Sequence, residues 1–493
     1  MNDFWAGVAI WFQNFNARFG VAAIIILALL VFALIMSTVI KTVIKGQSKE
    51  RKVQLRAKKA EDRIRIRASE SLSKIIGFET TCDKPQEMQN LVSYIKERYP
   101  KLFAAAEIKS SDCGLLFCLK AEKNENKPIL FCGHLDVVPA GEGWQHPAFG
   151  GQRDGGKIYG RGACDCKGPV VAILEAAEDL LMQGEKPNRD IWFAFGGDEE
   201  SGGAMGASVF AQILQNEQIS FDMILDEGGY IAKSLSDSDD FPIALMGIGQ
   251  KQSCYFTLKA TAQGGHSGKP LGKTALGSLA EAVCRIEVVA QKKKFTSLTK
   301  KFVQSSMPAM SFGKRYTVAN LPFTRPFVKS AFKNDYEVQT LMGNTLVPTR
   351  VQGSAADNMM VAQAECVINA QLLPDYSPEK MLAFIKRLVA DLDIEVTMSG
   401  ADEKVKLTDT ENETYKKVCR IVKDRYPGIP CLEWIASGCN NAAHYGNMSD
   451  CVLYFAPIVM EKQTAFSAHG AEERISEESL GAAVEIYKKL MVI

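Results

Sequence analysis

The most continuous hydrophobic pattern in the chain lies near its start. From Phe19 to Ile40 there are 22 consecutive uncharged residues, nearly all of them apolar. At about 1.5 Å per residue, a helix of that length spans a hydrocarbon core of roughly 30 Å. The pattern predicts a transmembrane helix over residues 19–44, after a short extracytoplasmic N-terminus of residues 1–18. A cleaved signal peptide is disfavoured because the apolar core is too long and the basic residues follow it. A buried core helix is the other alternative.

From residue 68 onward, apolar and amphipathic segments alternate. Short apolar runs at 128–132, 191–195 and 221–225 are bounded by turn residues and predict buried strands. Residues 168–182 begin with Gly-Pro and predict a helix. This alternation is typical of an α/β domain with a mainly parallel sheet.

The pattern changes near residue 253, where a half-exposed strand is predicted over 254–262. The segments after it predict a strand and helix succession typical of small two-layer domains, with helices near 273–291 and 378–392 and strands near 364–372 and 393–399. We therefore expect an α+β lid or dimerisation domain at 254–405, inserted into a catalytic domain formed by 68–253 and 406–493.

Charge is distributed unevenly behind a formal net value of +1. Residues 41–67 carry 11 Lys/Arg and 3 Asp/Glu, a net charge of +8, which leaves −7 for residues 68–493. Basic residues concentrate on the cytoplasmic side of a membrane span. The sequence thus predicts a single-pass membrane protein with a basic stalk at 45–67, which could also contact anionic lipid, and a large C-terminal body facing the cytoplasm.

Composition narrows the class of protein further. The 13 cysteines show no paired framework and suit a reducing compartment. A disordered chain and a disulfide-stapled small domain are excluded by length and apolar content. The chain has neither a P-loop nor a G-x-S-x-G motif, so we expect no nucleic-acid partner and no serine-hydrolase chemistry.

The candidate chemistry lies where three predicted strands end. They lead into Gly133-His134-Leu135-Asp136, into Gly197-Asp198-Glu199-Glu200 and into Asp226-Glu227-Gly228. Ligands of α/β sheets bind at the carboxyl ends of strands. Converging carboxylates and imidazoles would repel and shift one another's pKa values unless a divalent cation balanced them. Zinc accepts both ligand types, and a pair of metals needs a bridging carboxylate.

The five histidines differ in their surroundings. His134 and His469 lie in Gly-rich or acidic loops that suit a metal site, whereas His146 and His444 fit structural roles better. His266 follows two glycines in the predicted lid. It is far in the sequence from the other candidate residues, so the group with which it interacts stays open.

Six segments in order carry a resemblance to a known family: GHLDVVPA, IYGRGACDCKG, GGDEESGG, LDEGG, GGHSGKP and HGAEERIS. Together they resemble the zinc-dependent metallopeptidase family of aminoacylase, acetylornithine deacetylase and carboxypeptidase G. The branch of carboxypeptidase S and the N-fatty-acyl-amino-acid hydrolases is the most similar. The resemblance runs from about residue 70 to 490.

The resemblance implies two zinc ions per subunit, with cobalt or manganese as substitutes. Asp165 would bridge them, and the other ligands would be His134 and Asp226 on one metal and Glu200 and His469 on the other. Glu199 would be the general base, Asp136 would orient His134, and His266 would stabilise the oxyanion in the partner subunit's site of a homodimer.

Several positions depart from the family pattern. Cys166 replaces the second aspartate after the bridging residue, and Gln371 and Ala443 stand where arginines often bind a substrate carboxylate. Asn358 is kept. Since all implied metal and base residues are present, we expect an active hydrolase that cleaves a peptide or N-acyl amide bond of a small peptide or N-acyl amino acid.

Four alternatives stay open at this point. The chain could be a catalytically altered binding or scaffold protein, or a different di-zinc aminopeptidase, although the predicted lid argues against the latter. Cys164 and Cys166 could supply a thiolate ligand or act as redox-sensitive thiols.

Overall fold

The structure is a computed structural model that describes residues 2–122, 126–233, 242–270, 272–290, 296–331, 336–353, 356–401, 406–436, 438, 441–461 and 467–493. The chain divides into two compact units, Met1–Arg63 and Ile64–Ile493. Each unit is described by itself.

The first unit is helical. Helix α1 (Asn2–Ile76) begins at the second residue, so the segment assigned to the N-terminus is helical as well. Within the described part of the chain, the 35 residues Asp3–Ser37 alone form a helix long and apolar enough, by length and composition, to cross a membrane. Large apolar side chains such as Leu27, Leu30 and Phe32 are exposed along it. Membrane crossing itself stays a prediction.

The second unit contains the remaining elements. Its helices are α2 (Pro85–Arg98), α3 (Pro100–Ala105), α4 (Lys167–Met182), α5 (Ala207–Asn216), α6 (Ala275–Ala290), α7 (Ser297–Ser305), α8 (Phe312–Ala319), α9 (Leu321–Ala331), α10 (Tyr336–Leu341), α11 (Pro378–Leu388), α12 (Glu413–Arg425) and α13 (Glu477–Leu490). Its strands are β1 (Ala106–Ser110), β2 (Gly114–Leu119), β3 (Ile129–His134), β4 (Gln152–Asp154), β5 (Lys157–Tyr159), β6 (Ile191–Gly196), β7 (Met223–Asp226), β8 (Ile231–Ala232), β9 (Ile243–Gln250), β10 (Gln252–Thr261), β11 (Gly265–His266), β12 (Thr345–Gln352), β13 (Met359–Met360), β14 (Gln363–Leu372), β15 (Ile394–Ala401), β16 (Cys431–Ala436), β17 (Val452–Tyr454), β18 (Val459–Met460) and β19 (Arg474–Ser476).

A large sheet organises the main core, with strand order β1-β2-β6-β3-β7-β17-β9-β8-β18 and with β16 paired to β9. Its centre, from β6 through β3 and β7 to β17, is parallel, and antiparallel pairs flank it. The predicted α/β fold with a mainly parallel sheet is confirmed. Strands β3 and β6 are buried along their whole length, which explains why they are continuous apolar runs in the sequence.

Close packing dictates a glycine in the middle strand. A Cβ atom at Gly133 would lie 2.9 Å from Cγ2 of Val170 and 3.2 Å from Sγ of Cys166. Any larger residue would therefore push β3 away from the start of α4. Glycine lets the strand deliver the following residue, His134, directly against that helix.

A smaller antiparallel sheet of order β12-β14-β10-β15 encloses a second hydrophobic core with helices α6 and α11. The strands and helices predicted near 254–262, 273–291, 364–372, 378–392 and 393–399 are present, with bounds shifted by a few residues. The inserted lid at 254–405 nevertheless stays a prediction. Helices α7–α10 lie inside that range but contribute Phe302, Val303 and Leu341 to the first core.

Candidate active site

Three strand ends meet at one edge of the large sheet. Strand β3 ends at His134, β6 ends at Gly196 just before the acidic loop, and β7 ends at Asp226. Because β6, β3 and β7 run parallel, their carboxyl ends lie side by side. The predicted convergence of the three segments is therefore present.

Asp165 lies between two histidines that are far apart in the sequence. Its Oδ1 atom is 3.0 Å from Nε2 of His134, and its Oδ2 atom is 3.2 Å from Nε2 of His469. Each oxygen of one carboxylate therefore faces a different imidazole. A carboxylate that bridges two cations needs this division of its oxygens.

A further carboxylate approaches each histidine. Oε1 of Glu227 is 3.2 Å from Nε2 of His134, and Oε1 of Glu200 is 3.0 Å from Nε2 of His469. One oxygen of Asp165 therefore faces the pair His134 and Glu227, and the other faces the pair His469 and Glu200. Glu199 is close by, with Oε2 3.9 Å from Nε2 of His134.

Asp136 holds the acidic loop and the first histidine in place. Its two carboxylate oxygens accept the backbone N–H groups of Glu199 at 3.1 Å and Glu200 at 3.0 Å. Its backbone carbonyl oxygen lies 2.9 Å from Nδ1 of His134, closer than its carboxylate at 3.4 Å. With Nδ1 donating to that carbonyl, Nε2 is directed at Asp165 and Glu227.

The structure does not bring the carboxylate of Asp226 into this group. Its Oδ2 atom accepts the backbone N–H of Ala442 at 2.6 Å, and its Oδ1 atom accepts that of Glu227 at 3.0 Å. Both oxygens are therefore engaged by the backbone, and the next residue, Glu227, faces His134 instead. In this structure Glu227, and not Asp226, lies beside His134, while the assignment of a metal ligand stays a prediction.

A buried carboxylate that sequence reasoning missed supports the backbone around Asp165. Glu473 accepts the backbone N–H groups of Cys164 at 2.7 Å and Asp165 at 3.1 Å through Oε1. Its Oε2 atom accepts Gly162 N at 3.0 Å and is paired with the guanidinium of Arg161 at 2.8 Å. Its position four residues after His469, in the segment HGAEERIS, is the one sequence signal that could have pointed to it.

Burial and crowding shift the pKa values of these groups strongly. Burial, reinforced by Glu227, Asp165 and Glu200 against the opposing effect of His134, raises the pKa of Glu199 to about 9. Burial, followed by the charge of Glu227, raises the pKa of Asp226 to about 7. Hydrogen bonds to Asp165 and Glu200 raise the pKa of His469 to about 10. A cation would remove this mutual repulsion of the carboxylates.

Cys166 lies inside the site and not beside it. Its Sγ atom accepts the backbone N–H of His134 at 3.1 Å and, with His134 and Glu227, belongs to a group whose donor atoms are within 4.8 Å of one another. Burial raises the pKa of this thiol well above its usual value, which favours the neutral form over a thiolate. The Asp165–Cys166 peptide bond is cis. In the described part of the chain, each cysteine is a free thiol.

Other predicted residues lie outside the donor group. His266 is exposed on the two-residue strand β11, and its Nδ1 atom accepts the N–H of Gly268. Gln371 donates through Nε2 to Oγ of Ser253 at 2.7 Å, while its buried Oε1 has no hydrogen-bond partner among the described residues. Asn441, in the turn before Ala443, is buried, and its amide nitrogen and oxygen lack described partners as well.

Comparison with known proteins identifies the family. The sequence profile of "Peptidase family M20/M25/M40" matches residues 130–492, about three quarters of the chain. The chain belongs to this family. The family resemblance found in the sequence is thus confirmed, and this M20 peptidase is an enzyme of the metallopeptidase and amidohydrolase class.

Curated relatives and solved structures agree with that assignment. The M20 peptidase is 29% identical to "Probable carboxypeptidase S-like 2" of Dictyostelium discoideum, over 97% of this chain and 95% of that protein. It is 27% identical to "N-fatty-acyl-amino acid synthase/hydrolase PM20D1" of Xenopus tropicalis, over 81% of this chain and 79% of that protein. Among solved structures, the metallo-carboxypeptidase Sso-CP2 of Sulfolobus solfataricus shares its fold, with a TM-score of 0.63 and 18% identity over 86% of this chain and 98% of that one.

The side chains of this M20 peptidase fit a metal centre. Two overlapping groups could hold an ion, one of His134, Cys166 and Glu227 and one of His134, Asp165 and Glu200. Imidazole nitrogen and carboxylate oxygen are ligands that zinc accepts. The donor set therefore fits the metal dependence of the family, and the number of ions stays a prediction.

Proposed function

We propose that this M20 peptidase is a membrane-anchored di-zinc amidohydrolase that cleaves the peptide or N-acyl amide bond of a small peptide or an N-acyl amino acid. The observation that carries the proposal is the position of Asp165, whose two oxygens face His134 and His469 separately. His134, Asp165 and Glu227 would hold one zinc ion, and Asp165, Glu200 and His469 the other. Glu227 takes the role that the sequence analysis gave to Asp226.

Zinc bound there would polarise the scissile carbonyl and lower the pKa of water. The residues of the chain supply the proton transfers. The backbone N–H of Glu199 donates to Asp136, and its carboxylate lies 3.9 Å from Nε2 of His134, farther away than the carboxylates of Asp165 and Glu227. Its carboxylate takes a proton from the attacking water and delivers it to the leaving amine nitrogen. His266 donates a hydrogen bond to the developing oxyanion, reaching the site of the partner subunit in a homodimer.

The substrate carboxylate would be bound without the arginines common in the family. Gln371 and Ala443 stand at the positions of those arginines, so either Lys or Arg from elsewhere in the chain binds the carboxylate or the substrate is unusual. The names of the relatives support N-acyl amino acids and carboxy-terminal peptides as the two substrate classes to compare.

The apolar part of α1 supports anchoring, and the basic residues that follow it support a catalytic body on the cytoplasmic side. Protease protection of sealed vesicles tests this orientation. Digestion of the catalytic body in cytoplasmic-side-out vesicles is expected, and full protection there would contradict it.

A hydrolysis panel tests the proposed activity. The full-length protein in lipid nanodiscs is incubated with dipeptides and with short- and long-chain N-acyl amino acids. Glu199→Gln is expected to lower kcat by about 10²–10⁴-fold because the general base is lost, while its metal content stays unchanged. The matched control is Glu411→Gln, whose side chain is 81% exposed. Full turnover by Glu199→Gln would refute the role of that residue. Absence of hydrolysis by the wild-type protein, with less than one metal per chain, would favour the binding or scaffold alternative.

A further inference from the structure

Two helices of the second unit expose an unusual set of aromatic side chains. On α8, Phe312 is 83% exposed and Tyr316 is 66% exposed; on α9, Phe323 and Phe327 are 86% and 72% exposed. We call residues 312–331 the aromatic hairpin, because α8 and α9 are consecutive and contact each other.

The exposed aromatics are arranged on defined faces. Phe312 and Tyr316 are four residues apart on one helix, as are Phe323 and Phe327 on the other, so each pair lies on one side of its helix. The opposite side is anchored, because Val318, Leu321 and Val328 are buried in the main core. The hairpin therefore packs one apolar side against the main core and exposes aromatic side chains on its other side. Each helix thus exposes an aromatic pair, and exposed apolar surface larger than single scattered side chains marks an interaction site.

The charge around the hairpin indicates the chemistry of its partner. Residues 312–331 contain no Asp or Glu and four basic residues, Lys314, Arg315, Arg325 and Lys329. The second unit is acidic as a whole, so this cationic segment stands out from it. Two copies of such a surface would repel each other, whereas an anionic surface would attract it.

We propose that the aromatic hairpin inserts its exposed face into the headgroup region of an anionic lipid bilayer. Aromatic side chains favour the membrane interface, and basic residues near it bind anionic lipids. The proposal rests on the proposed membrane anchoring, since a chain tethered by α1 keeps the hairpin at a high effective lipid concentration. Bilayer contact would also place the enzyme at the surface from which amphipathic N-acyl amino acids come.

Photo-cross-linking in the full-length protein tests the contact directly. A benzoylphenylalanine replaces Phe323, and the protein is reconstituted in nanodiscs of phosphatidylcholine with or without phosphatidylserine. The matched control carries the same group at Met205, which is 66% exposed on the second unit. We expect lipid adducts at position 323 at least about fivefold above those at 205, and more of them with phosphatidylserine. Adducts no more frequent than at position 205, or adducts between two protein chains, would overturn the proposal.

A second variant separates the hairpin from the anchor. Phe312→Ser/Phe327→Ser is expected to lower the adduct yield at position 323 several-fold without changing the unfolding temperature, because both side chains are exposed in the folded protein. Flotation with vesicles reports on α1 and is expected to be unchanged in this variant. If the wild-type chain does not float, the anchoring proposal fails. If it floats and position 323 gives no lipid adduct above the control, the hairpin proposal alone fails.

Discussion

His134 and His266 have similar local sequences but very different environments. Each follows a glycine and ends a strand, yet His134 is fully buried and His266 is exposed. His134 ends a central strand of the large sheet, where Asp136, Asp165 and Glu227 surround it. His266 lies on a short two-stranded ladder with Met359–Met360, where its imidazole contacts the N–H of Gly268. The fold therefore builds the metal-ligand group in advance, whereas an oxyanion donor at His266 needs a partner or a closure.

Metal removal should have the largest effect on the pre-built group. We expect a chelator to abolish hydrolysis and zinc to restore it, with cobalt or manganese as partial substitutes.

Because the pKa of Glu199 is raised to about 9 and that of His469 to about 10, both groups hold a proton at pH 7 in the metal-free protein. Cation binding favours their deprotonated forms, so protons are released and apparent affinity rises with pH up to about 10. Calorimetric titration of the metal-free protein in two buffers with different ionisation enthalpies measures this release. Heats that are the same in both buffers would contradict it.

The exposed histidine should affect the rate and leave the metal-ligand group intact. His266→Ala is expected to lower kcat by about 10²–10³-fold, the effect of losing one oxyanion donor, with metal content and unfolding temperature unchanged. Mixing His266→Ala with Glu199→Gln subunits shows which site His266 serves. If it serves the partner's site, each mixed dimer regains one complete site and activity returns. If the mixture stays inactive while the wild-type protein is active, His266 serves the site of its own subunit.

The two adjacent acids at the end of β7 provide the smallest and most local test. Glu227→Gln is expected to weaken zinc binding by about 10–100-fold or more, because even groups that act only through a ligand have effects of that size. Asp226→Asn should instead lower the free energy of unfolding by about 1–3 kcal/mol. The side-chain NH₂ group of Asn would face one of the two backbone N–H donors that the carboxylate now accepts, so that hydrogen bond would be lost. Metal titration and chemical denaturation of both variants measure the two effects. The opposite outcome, with zinc binding lost in Asp226→Asn alone, would restore the original assignment.

Much of the fold was predictable because it follows from local pattern. The central strands are short apolar runs ended by glycine and acidic residues, and the structure places them within a few residues of the predicted positions. The helices α7–α10 were not predicted. Their sequence mixes basic, aromatic and proline residues without a clear period, and they are held by burying one side, such as Phe302 and Leu341, in the main core.

The sequence by itself determined which chemistry the chain can carry. One histidine, several carboxylates and glycines at three strand ends predicted a metal site, and the family resemblance of six motifs implied a hydrolase. The uneven charge predicted a basic segment behind an apolar one. Tertiary structure decided between neighbours such as Asp226 and Glu227, because which of two adjacent side chains faces the site depends on the backbone around them. It also decided the role of Glu473, whose hydrogen-bond partners Gly162, Cys164 and Asp165 are about 310 residues away along the chain. Contacts over that distance have no local signal, since they form only when the last segment of the chain packs against the start of α4.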